Sequence, residues 1–396
     1  MVALPTAFTQ YTRSLLGDER YGRFIDAFSE EPPVSIRINP RTALATQGDD
    51  GAVPWCSLGR YLGRRPDFTF DPLLHAGCYY VQEAASMFLH HALQQHVDRP
   101  VQVLDLCAAP GGKATCALGA LPPGTALWAN DPVPRRASIL SENIQKWGHP
   151  QCTVTCARPA DYVRAGLTFD VVICDVPCSG EGMFRRDPQA VAAWSTHVID
   201  ACARQQRDIV AQAWQCLRPG GLLVYSTCTL NTRENEENVL HIIATHGARP
   251  LAVDTSPQWA ITPSLLPALS APVYRFIPGI TRSEGLFVAL LRKPEAPAQR
   301  TRTATAAPNV IYDSRQPRQQ PVATAQLTYD EAIAYLRGMP LTLPAGTPRG
   351  LVAVAFRGQT LGLVKNIGTR ANNLYPKEWR IKSSHTPEEY KPVIAI

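Results

Sequence analysis

The chain has 396 residues, of which 45% are hydrophobic and 18% are charged, and its formal net charge is +6. This length exceeds what one hydrophobic core ordinarily holds, so we expect a globular protein of two or three domains. The first residues show no basic segment followed by an apolar run, and no later stretch is long and apolar enough to cross a bilayer. Composition therefore argues against secreted and membrane-spanning classes, and we expect a cytoplasmic protein.

The eleven cysteines raise the question of disulfides or a bound metal. No Cys-x-x-Cys spacing occurs, and the pairs Cys152/Cys156 and Cys174/Cys178 fall at predicted strand ends. Residues four apart on a strand lie about 13 Å from each other, which is too far for two ligands of one zinc ion. We therefore expect no metal site and mostly buried cysteines.

The first 98 residues mix short helical patterns with loops, and from Val101 the pattern changes. Short apolar strands then alternate with helical segments, which is typical of a parallel sheet in an α/β fold. The longest of these helices is expected to end at Cys216. The predicted strands are 101–107, 125–131, 151–157, 169–175, 221–227 and 285–291.

Residues 294–323 have the composition of a linker, and a small α+β domain of capped helix and hairpin is predicted after them, with the hairpin turn at Arg357-Gly358. From Arg292 onward fifteen Lys/Arg face seven Asp/Glu, a net charge of +8, whereas the rest of the chain carries −2. This asymmetry favours a polyanionic partner. A solvated linker with an ordinary surface explains the charge equally well.

A glycine-containing loop, DLCAAPGGK, joins the first strand of the α/β region to a helix. A phosphate-binding loop would need Gly where Cys107 stands, and the Gly-x-Gly-x-x-Gly of dinucleotide-binding folds is absent. The loop instead fits a cofactor without a pyrophosphate, such as S-adenosylmethionine, with Asp131 placed to accept both ribose hydroxyls. A plain glycine turn with a surface Asp is the alternative. The candidate cofactor-binding residues are Cys107, Ala108, Ala109, Pro110, Gly111, Gly112, Lys113, Asp131 and Asp175.

Two cysteines follow predicted strands, Cys178 in DVPCSGEG and Cys228 in YSTCT. A cysteine at such a position is ordinarily inert core filler. Small polar and turn residues surround both, which instead indicates a reactive thiolate. Asp175 stands where amino-group methyltransferases carry the acid or amide of an Asp-Pro-Pro-Tyr motif. Because Cys178 replaces the aromatic residue of that motif, methylation of carbon is favoured over methylation of nitrogen.

The motifs CAAPGGK, DVPCSGEGMFRRDP and YSTCTLN, in this order, resemble those of the Sun/NSUN-type RNA cytosine-C5 methyltransferases. RINP around Arg37, YYVQEAASM around Gln82, and the C-terminal LGLVKN and NNLYPKEWRI are similar to the bacterial 16S rRNA members of the RsmF type. The resemblance covers nearly the whole chain and implies a Rossmann-like class I methyltransferase domain. The implied organisation is an N-terminal α+β RNA-binding subdomain (1–98), the methyltransferase domain (99–293), a linker (294–323) and a PUA-like RNA-binding domain (324–396).

By this resemblance, Cys228 attacks C6 of cytosine, and Cys178 assists release of the product. The residues alone do not rank the two thiols, because the unrelated DNA cytosine-C5 enzymes use the Pro-Cys thiol. Lys113 and Asp175 are the other candidate catalytic residues. Lys113 is expected to stabilise a thiolate or to hold Asp175, with an ordinary structural lysine as the alternative.

For contact with RNA, we expect Arg185 and Arg186 to clamp phosphates and Phe184 to stack on a base. Arg37 is a further candidate from the N-terminal segment, and pairing of such arginines with surface carboxylates is the alternative.

The expected activity is S-adenosylmethionine-dependent formation of 5-methylcytosine in 16S rRNA through a Cys228–C6 adduct. Transfer RNA as the substrate, or a non-catalytic ribosome-assembly factor, are the alternatives. We expect RNA as the partner, no membrane, no metal and a monomer.

Overall fold

The computed structural model of the protein describes residues 4–42, 51–295, 307–317, 319–385, 387 and 389–394. The strands are β1 Val34–Ile38, β2 Ala52–Val53, β3 Cys56–Leu62, β4 Tyr79–Val81, β5 Gln102–Asp105, β6 Ala126–Asn130, β7 Cys152–Thr155, β8 Phe169–Asp175, β9 Leu217–Thr227, β10 Arg249–Leu251, β11 Tyr274–Phe276, β12 Leu286–Arg292, β13 Val310–Asp313, β14 Ala323–Gln326, β15 Gly350–Phe356, β16 Gln359–Asn366 and β17 Ala371–Asn373. The α-helices are α1 Thr6–Leu16, α2 Asp18–Asp26, α3 Pro72–His75, α4 Phe88–His96, α5 Gly112–Ala120, α6 Pro134–Trp147, α7 Pro159–Arg164, α8 Pro188–Ala193, α9 Thr196–Cys216, α10 Glu236–His246 and α11 Tyr329–Leu336.

The largest sheet of the described residues follows the order β10-β12-β9-β8-β5-β6-β7-β13, with β11 added beside β12. Strands β5 to β9 are parallel, whereas β12 and β13 run antiparallel to their neighbours. The chain proceeds from β5 outward to β7 and then returns to β8, so the strand order reverses between β5 and β8. In open α/β sheets, ligands bind at the carboxyl ends of the strands beside such a reversal. The predicted Rossmann-like fold is confirmed.

Apolar side chains cover both faces of this sheet, which explains why its central strands are continuous hydrophobic runs. Val103 and Ile173 belong to the core on one face, and Val172 and Leu223 to the core on the other. All six predicted strands form, and β8 has the bounds predicted for it. The long helix α9 ends at Cys216, also as predicted, and Ser195 caps its start by accepting a hydrogen bond from Val198 N–H.

The segment predicted as a linker contains a strand. Within 294–323, β13 pairs antiparallel with β7 and extends the edge of the large sheet. The sequence analysis missed it because four residues, half of them exposed, carry little periodic signal. The three-residue strands β10 and β11 were missed for the same reason.

The N-terminal and C-terminal segments each form a four-stranded sheet, and the two share one hydrophobic core. Phe70 and Leu73 before and within α3 pack in the same cluster as Ile333 and Leu336 of α11. Tyr329 Oη donates to the carbonyl of Phe70 at 3.1 Å, which ties the segments across their boundary. The predicted capped helix is α11, which starts with a Thr328–Glu331 capping box. The predicted hairpin is formed by β15 and β16, and it turns at Arg357 and Gly358, which both have positive φ.

Within the described residues, no helix combines the length and apolar character that crossing a bilayer requires. The same part of the chain contains no cluster of three His, Cys, Asp or Glu side chains arranged to hold a metal ion.

Candidate active site

The predicted site residues lie on the loops that follow β5, β8 and β9. These strands are adjacent in the sheet, so their carboxyl ends bring the three loops side by side. Backbone hydrogen bonds extend the pairing past the strand ends, from Leu106 N–H to the carbonyl of Ile173 and from Val176 N–H to the carbonyl of Ser226. The sheet register therefore determines how the loops face one another.

The two cysteines singled out in the sequence are in contact. Cys178 Sγ lies 3.3 Å from Cys228 Sγ, although 50 residues separate them. Gly182 N–H donates to the carbonyl of Cys228 at 2.8 Å, which draws the two loops together. A Cβ atom at position 182 would lie 2.8 Å from that same carbonyl oxygen, so only glycine permits this approach.

Lys113 and Asp175 form an ion pair beside the two sulfurs. Lys113 Nζ lies 2.9 Å from Asp175 Oδ2, and Ser226 Oγ donates to Asp175 Oδ1 at 2.8 Å. Lys113 is the second residue of α5, so the helix that follows the glycine loop delivers its side chain to the ends of β8 and β9. The carboxylate is thereby oriented by two groups from different elements.

The electrostatic environment distinguishes the two thiols. The hydrogen bond from the Cys178 thiol lowers the pKa of Cys228, and the Lys113 ammonium adds to this effect against the opposing influence of burial. The same hydrogen bond, together with burial, raises the pKa of Cys178 well above its ordinary value. Burial alone would lower the pKa of Lys113, but attraction to Asp175 outweighs it and leaves that pKa raised. The environment thus makes Cys228 the more acidic thiol of the pair and Cys178 the less acidic one.

Two buried glutamates beside the cysteines, Glu181 and Glu234, were missed by the sequence analysis. Glu234 accepts hydrogen bonds from Ser179 N–H and from Gln206 Nε2, and burial raises its pKa. A signal existed for Glu181, which lies three residues after Cys178 within the same polar motif. Glu234 lies six residues after Cys228, outside the motif, and only its burial in the fold reveals it.

The glycine loop forms a tight approach to the start of α5. Gly111 is the N-cap residue and has a φ of 116°, which a side chain would strain. Helix α6 supports the loop from outside, since Arg136 Nη2 donates to the carbonyl of Ala109 and Asn143 Nδ2 to that of Pro110. The loop backbone is therefore held in place for a ligand at the N-terminus of α5.

Two buried carboxylates near this loop have oxygen atoms that accept no hydrogen bond. Asp131 Oδ1 accepts from Val133 N–H at 3.0 Å, but Oδ2 accepts no hydrogen bond, although Arg136 Nη2 lies 3.2 Å away. Neither carboxyl oxygen of Asp105 has a partner, and burial, with repulsion from Asp175, raises the pKa of Asp105 to about 8. Buried polar atoms are normally paired. A ligand with hydroxyl and amine donors, such as a ribose and an amino acid moiety, fits these residues.

Arg37 and Phe184 need correction as candidate RNA contacts, because both are fully buried. The Arg37 guanidinium donates to Gln82 Oε1 and Thr115 Oγ1 and lies 4.4 Å from the Trp147 ring. Phe184 packs against Phe8, with ring centroids 4.9 Å apart. Their side chains join the N-terminal segment to the methyltransferase domain and present no surface to a nucleic acid.

The two arginines after Phe184 differ from each other. Arg185 is nearly buried and pairs with Glu284, with Nη1 2.5 Å from Oε1, which corrects its expected role as a phosphate clamp. Arg186 pairs with the other oxygen of Glu284 at 3.2 Å, and about a third of its side chain is exposed. Arg186 is therefore the one of the predicted RNA contacts that the structure leaves at the surface.

A family model described as 16S rRNA methyltransferase RsmB/F matches residues 91–292. The chain belongs to this family. The N-terminal domain of 16S rRNA methyltransferase RsmF matches residues 4–84, and the methyltransferase RsmF PUA domain matches residues 323–381. The resemblance found in the sequence motifs is confirmed.

Relatives of the family include the ribosomal RNA small subunit methyltransferase F of Serratia proteamaculans, which is 35% identical over 309 residues, 74% of this chain. The match spans 64% of that relative's length, less than two thirds. The protein of the same name from Escherichia coli O127:H6 is 29% identical, and the alignment covers 95% of this chain and 96% of the relative.

Among solved structures, a methyltransferase homologue from Pyrococcus horikoshii has a TM-score of 0.61 and 24% identity, covering 74% of this chain and 96% of that one. NSun6 from Pyrococcus horikoshii, solved with SFG, has a TM-score of 0.61 and 20% identity, covering 74% and 100%. At these identities the likeness supports the fold alone.

Proposed function

We propose that this protein is an S-adenosylmethionine-dependent methyltransferase that forms 5-methylcytosine in 16S rRNA of the small ribosomal subunit. The observation that carries the proposal is the Cys178–Cys228 contact beside the Lys113–Asp175 ion pair. Carbon 5 of cytosine becomes nucleophilic only after a nucleophile adds to C6, so the reaction needs a thiolate and a group for the C5 proton. The names of the relatives point to the same substrate.

In this proposal, the backbone from Cys107 to Gly112 and the carboxylates of Asp131 and Asp105 hold S-adenosylmethionine. Bound there, the cofactor supplies an electrophilic methyl group. Asp131 Oδ2 lacks a hydrogen-bond partner and accepts from a ribose hydroxyl, and Asp105 accepts from the amino group of the methionine moiety.

Cys228, as the thiolate, adds to C6 of the target cytosine and forms the Sγ–C6 bond, which moves electron density to C5. Asp175, oriented by Lys113 and Ser226, accepts a hydrogen bond from the exocyclic amino group of the base. Carbon 5 would then bond to the methyl group, and the S–CH3 bond of the sulfonium would break to leave a neutral thioether. Once Sγ of Cys228 is bonded to carbon, it no longer accepts a hydrogen bond from Cys178.

Cys178 then loses its own proton to solvent and accepts the proton from C5. Breaking of the Sγ–C6 bond restores the aromatic ring and returns Cys228 to the thiolate. One proton is released for each methyl group transferred, and both thiols end in their starting states. The opposite directions of the two pKa shifts support this division of roles, in which the more acidic thiol, Cys228, is the nucleophile.

The C6 atom is accessible only when the base is unstacked, so the substrate is an unpaired or transiently opened part of the RNA. In this proposal, the N-terminal and C-terminal domains supply further RNA contacts. Between Glu331 and Glu378, six Lys/Arg occur without a single acid, which suits the phosphate backbone. A ribosomal RNA substrate also assigns the protein to the cytoplasm.

The test combines tritiated S-adenosylmethionine, purified small subunits or 16S rRNA, and bisulfite mapping of the product. Cys228→Ala is expected to abolish methyl transfer, whereas Cys178→Ala is expected to accumulate a protein–RNA adduct that resists denaturing electrophoresis. Normal methylation by Cys228→Ala would refute the mechanism. Label entering transfer RNA instead would change the substrate, and label entering no RNA would favour a non-catalytic assembly factor.

A further inference from the structure

We propose that Glu181 and Glu234 are positioning residues that clamp the loops after β8 and β9 to each other and thereby set the separation of the two thiols. The inference rests on the proposed function, because that function assigns a role to both thiols. Neither glutamate is placed to touch the base or the cofactor in the proposed reaction. Each one acts through the loop that it holds.

Glu181 belongs to the loop after β8 and is bonded to the loop after β9. Its Oε2 accepts from the backbone N–H groups of Leu230 at 2.8 Å and Asn231 at 3.0 Å. Its Oε1 accepts from Trp194 Nε1 at 2.9 Å. The side chain, 2% exposed, thus fixes the backbone just past Cys228 relative to the backbone just past Cys178.

Glu234 makes the reciprocal connection, from the loop after β9 to the loop after β8. Its Oε2 accepts from Ser179 N–H at 3.0 Å and from Gln206 Nε2 at 2.7 Å. Its Oε1 accepts from Ser179 Oγ and from Asn231 Nδ2. Ser179 is the next residue after Cys178, so this carboxylate holds the other thiol from the opposite side.

Asn231 couples the two glutamates. Its Nδ2 atom lies 3.3 Å from Glu181 Oε1 and 2.8 Å from Glu234 Oε1. The cysteine loops therefore cannot separate unless several buried hydrogen bonds break together. This explains how a contact of 3.3 Å is maintained between sulfurs on two different loops.

The pairing of these glutamates differs from that of the buried acids Glu236 and Glu284. Glu236 and Glu284 form ion pairs with arginines, whereas no ion pair among the described residues includes Glu181 or Glu234. Burying a carboxylate with only neutral donors costs free energy unless its hydrogen bonds are well formed. Two such carboxylates joining the same two loops indicate that the loop geometry itself is what they maintain.

The experiment uses the full chain without RNA and measures the rate of alkylation of Cys228 by iodoacetamide against pH, with the Cys228 peptide quantified by mass spectrometry. In Glu181→Gln one of the two accepting oxygens becomes an NH2 group, which cannot accept from the N–H donors that face it. The two loops then separate, and Cys228 loses the hydrogen bond from Cys178. We expect the alkylation midpoint to move to higher pH by about one unit, which lowers the rate at neutral pH about tenfold.

Ser179→Ala is the second variant, because it removes hydroxyl contacts with Glu234 and Thr229 while it retains the backbone. It is expected to shift the midpoint in the same direction. Asp71→Asn is the matched control, since Asp71 is also buried but caps the start of α3 and has Tyr79 and Tyr390 as donors. Its midpoint should equal that of the unmodified chain.

Methylation provides the second measurement. Glu181→Gln is expected to lower kcat at least tenfold with KM for RNA changed less than twofold, because the loss is in thiol geometry and not in binding. Folded Glu181→Gln and Ser179→Ala proteins with unchanged midpoints would overturn the inference. If both variants shift the midpoint but the unmodified chain methylates no RNA, the proposed function is refuted and the inference about the clamp stands.

Discussion

Lys113 Nζ lies 2.9 Å from Asp175 Oδ2, where the helix after the glycine loop meets the loop that carries Cys178. This ammonium also lowers the pKa of Cys228. One side chain therefore lies at the start of the helix after the glycine loop, pairs with Asp175 and acts on the pKa of Cys228.

Replacement of Lys113 by Gln is expected to shift the pH dependence of methyl transfer. In the proposed mechanism the thiolate of Cys228 is the active form, so the rate is expected to rise with pH through the pKa of this thiol. Without the ammonium that pKa rises, and the rising limb of the pH–kcat profile moves to higher pH. Lys391→Gln, which removes an exposed lysine paired with Glu389, is the control and should leave the limb in place. A limb unchanged in Lys113→Gln would show that Lys113 only holds Asp175.

Asp131→Asn is expected to weaken binding of S-adenosylmethionine about tenfold, since one charge-assisted hydrogen bond to a ribose hydroxyl is lost. Isothermal titration calorimetry of the RNA-free protein measures this directly. Asp200→Asn, which removes a surface carboxylate paired with Arg233, is the matched control. Equal affinity in both variants would exclude Asp131 from the cofactor site.

The raised pKa of Asp105 should be visible in how the free energy of unfolding depends on pH. Burial raises the pKa of Asp105 to about 8, above its value of about 4 in the unfolded chain. The folded state then binds the proton more tightly, so the contribution is fully present below about pH 4 and is lost as the pH rises toward about 8. Urea denaturation of the cofactor-free protein at several pH values measures the slope. Asp105→Asn is expected to lose less stability than the unmodified chain between pH 5 and pH 8, and parallel curves would contradict this.

Phe184→Ala is expected to destabilise the fold by about 3–5 kcal/mol, because it opens a cavity where Phe184 packs against Phe8. Chemical denaturation checks the loss. Arg186→Ala serves as the contrast, because the arginine side chain is partly exposed. Its loss should weaken RNA binding in a salt-dependent manner and change the free energy of unfolding little. Reversed results, with Phe184→Ala stable but defective in RNA binding, would restore Phe184 as a base-stacking residue.

Prediction from sequence succeeded where local pattern and function coincide. The central strands were recognisable because burial on both faces makes them continuous apolar runs. Cys178 and Cys228 stood out because small polar residues surround them at strand ends. Prediction failed for Arg37, Phe184 and Arg185, which had been assigned to RNA by residue type. The burial of these three side chains depends on what the N-terminal segment packs against, and this cannot be predicted from the local sequence pattern.

By itself, the sequence determined where the central strands lie along the chain, the glycine loop, the two cysteines after strand ends and Asp175 near one of them, because short motifs and periodicity encode these. Only the tertiary structure decided which groups meet. It brought Cys178 within 3.3 Å of Cys228, paired Lys113 with Asp175, and joined the cysteine loops through Glu181 and Glu234. The physical reason is that sheet register and loop packing fix distances between residues far apart in the chain, and those distances shift the pKa values of the two thiols in opposite directions.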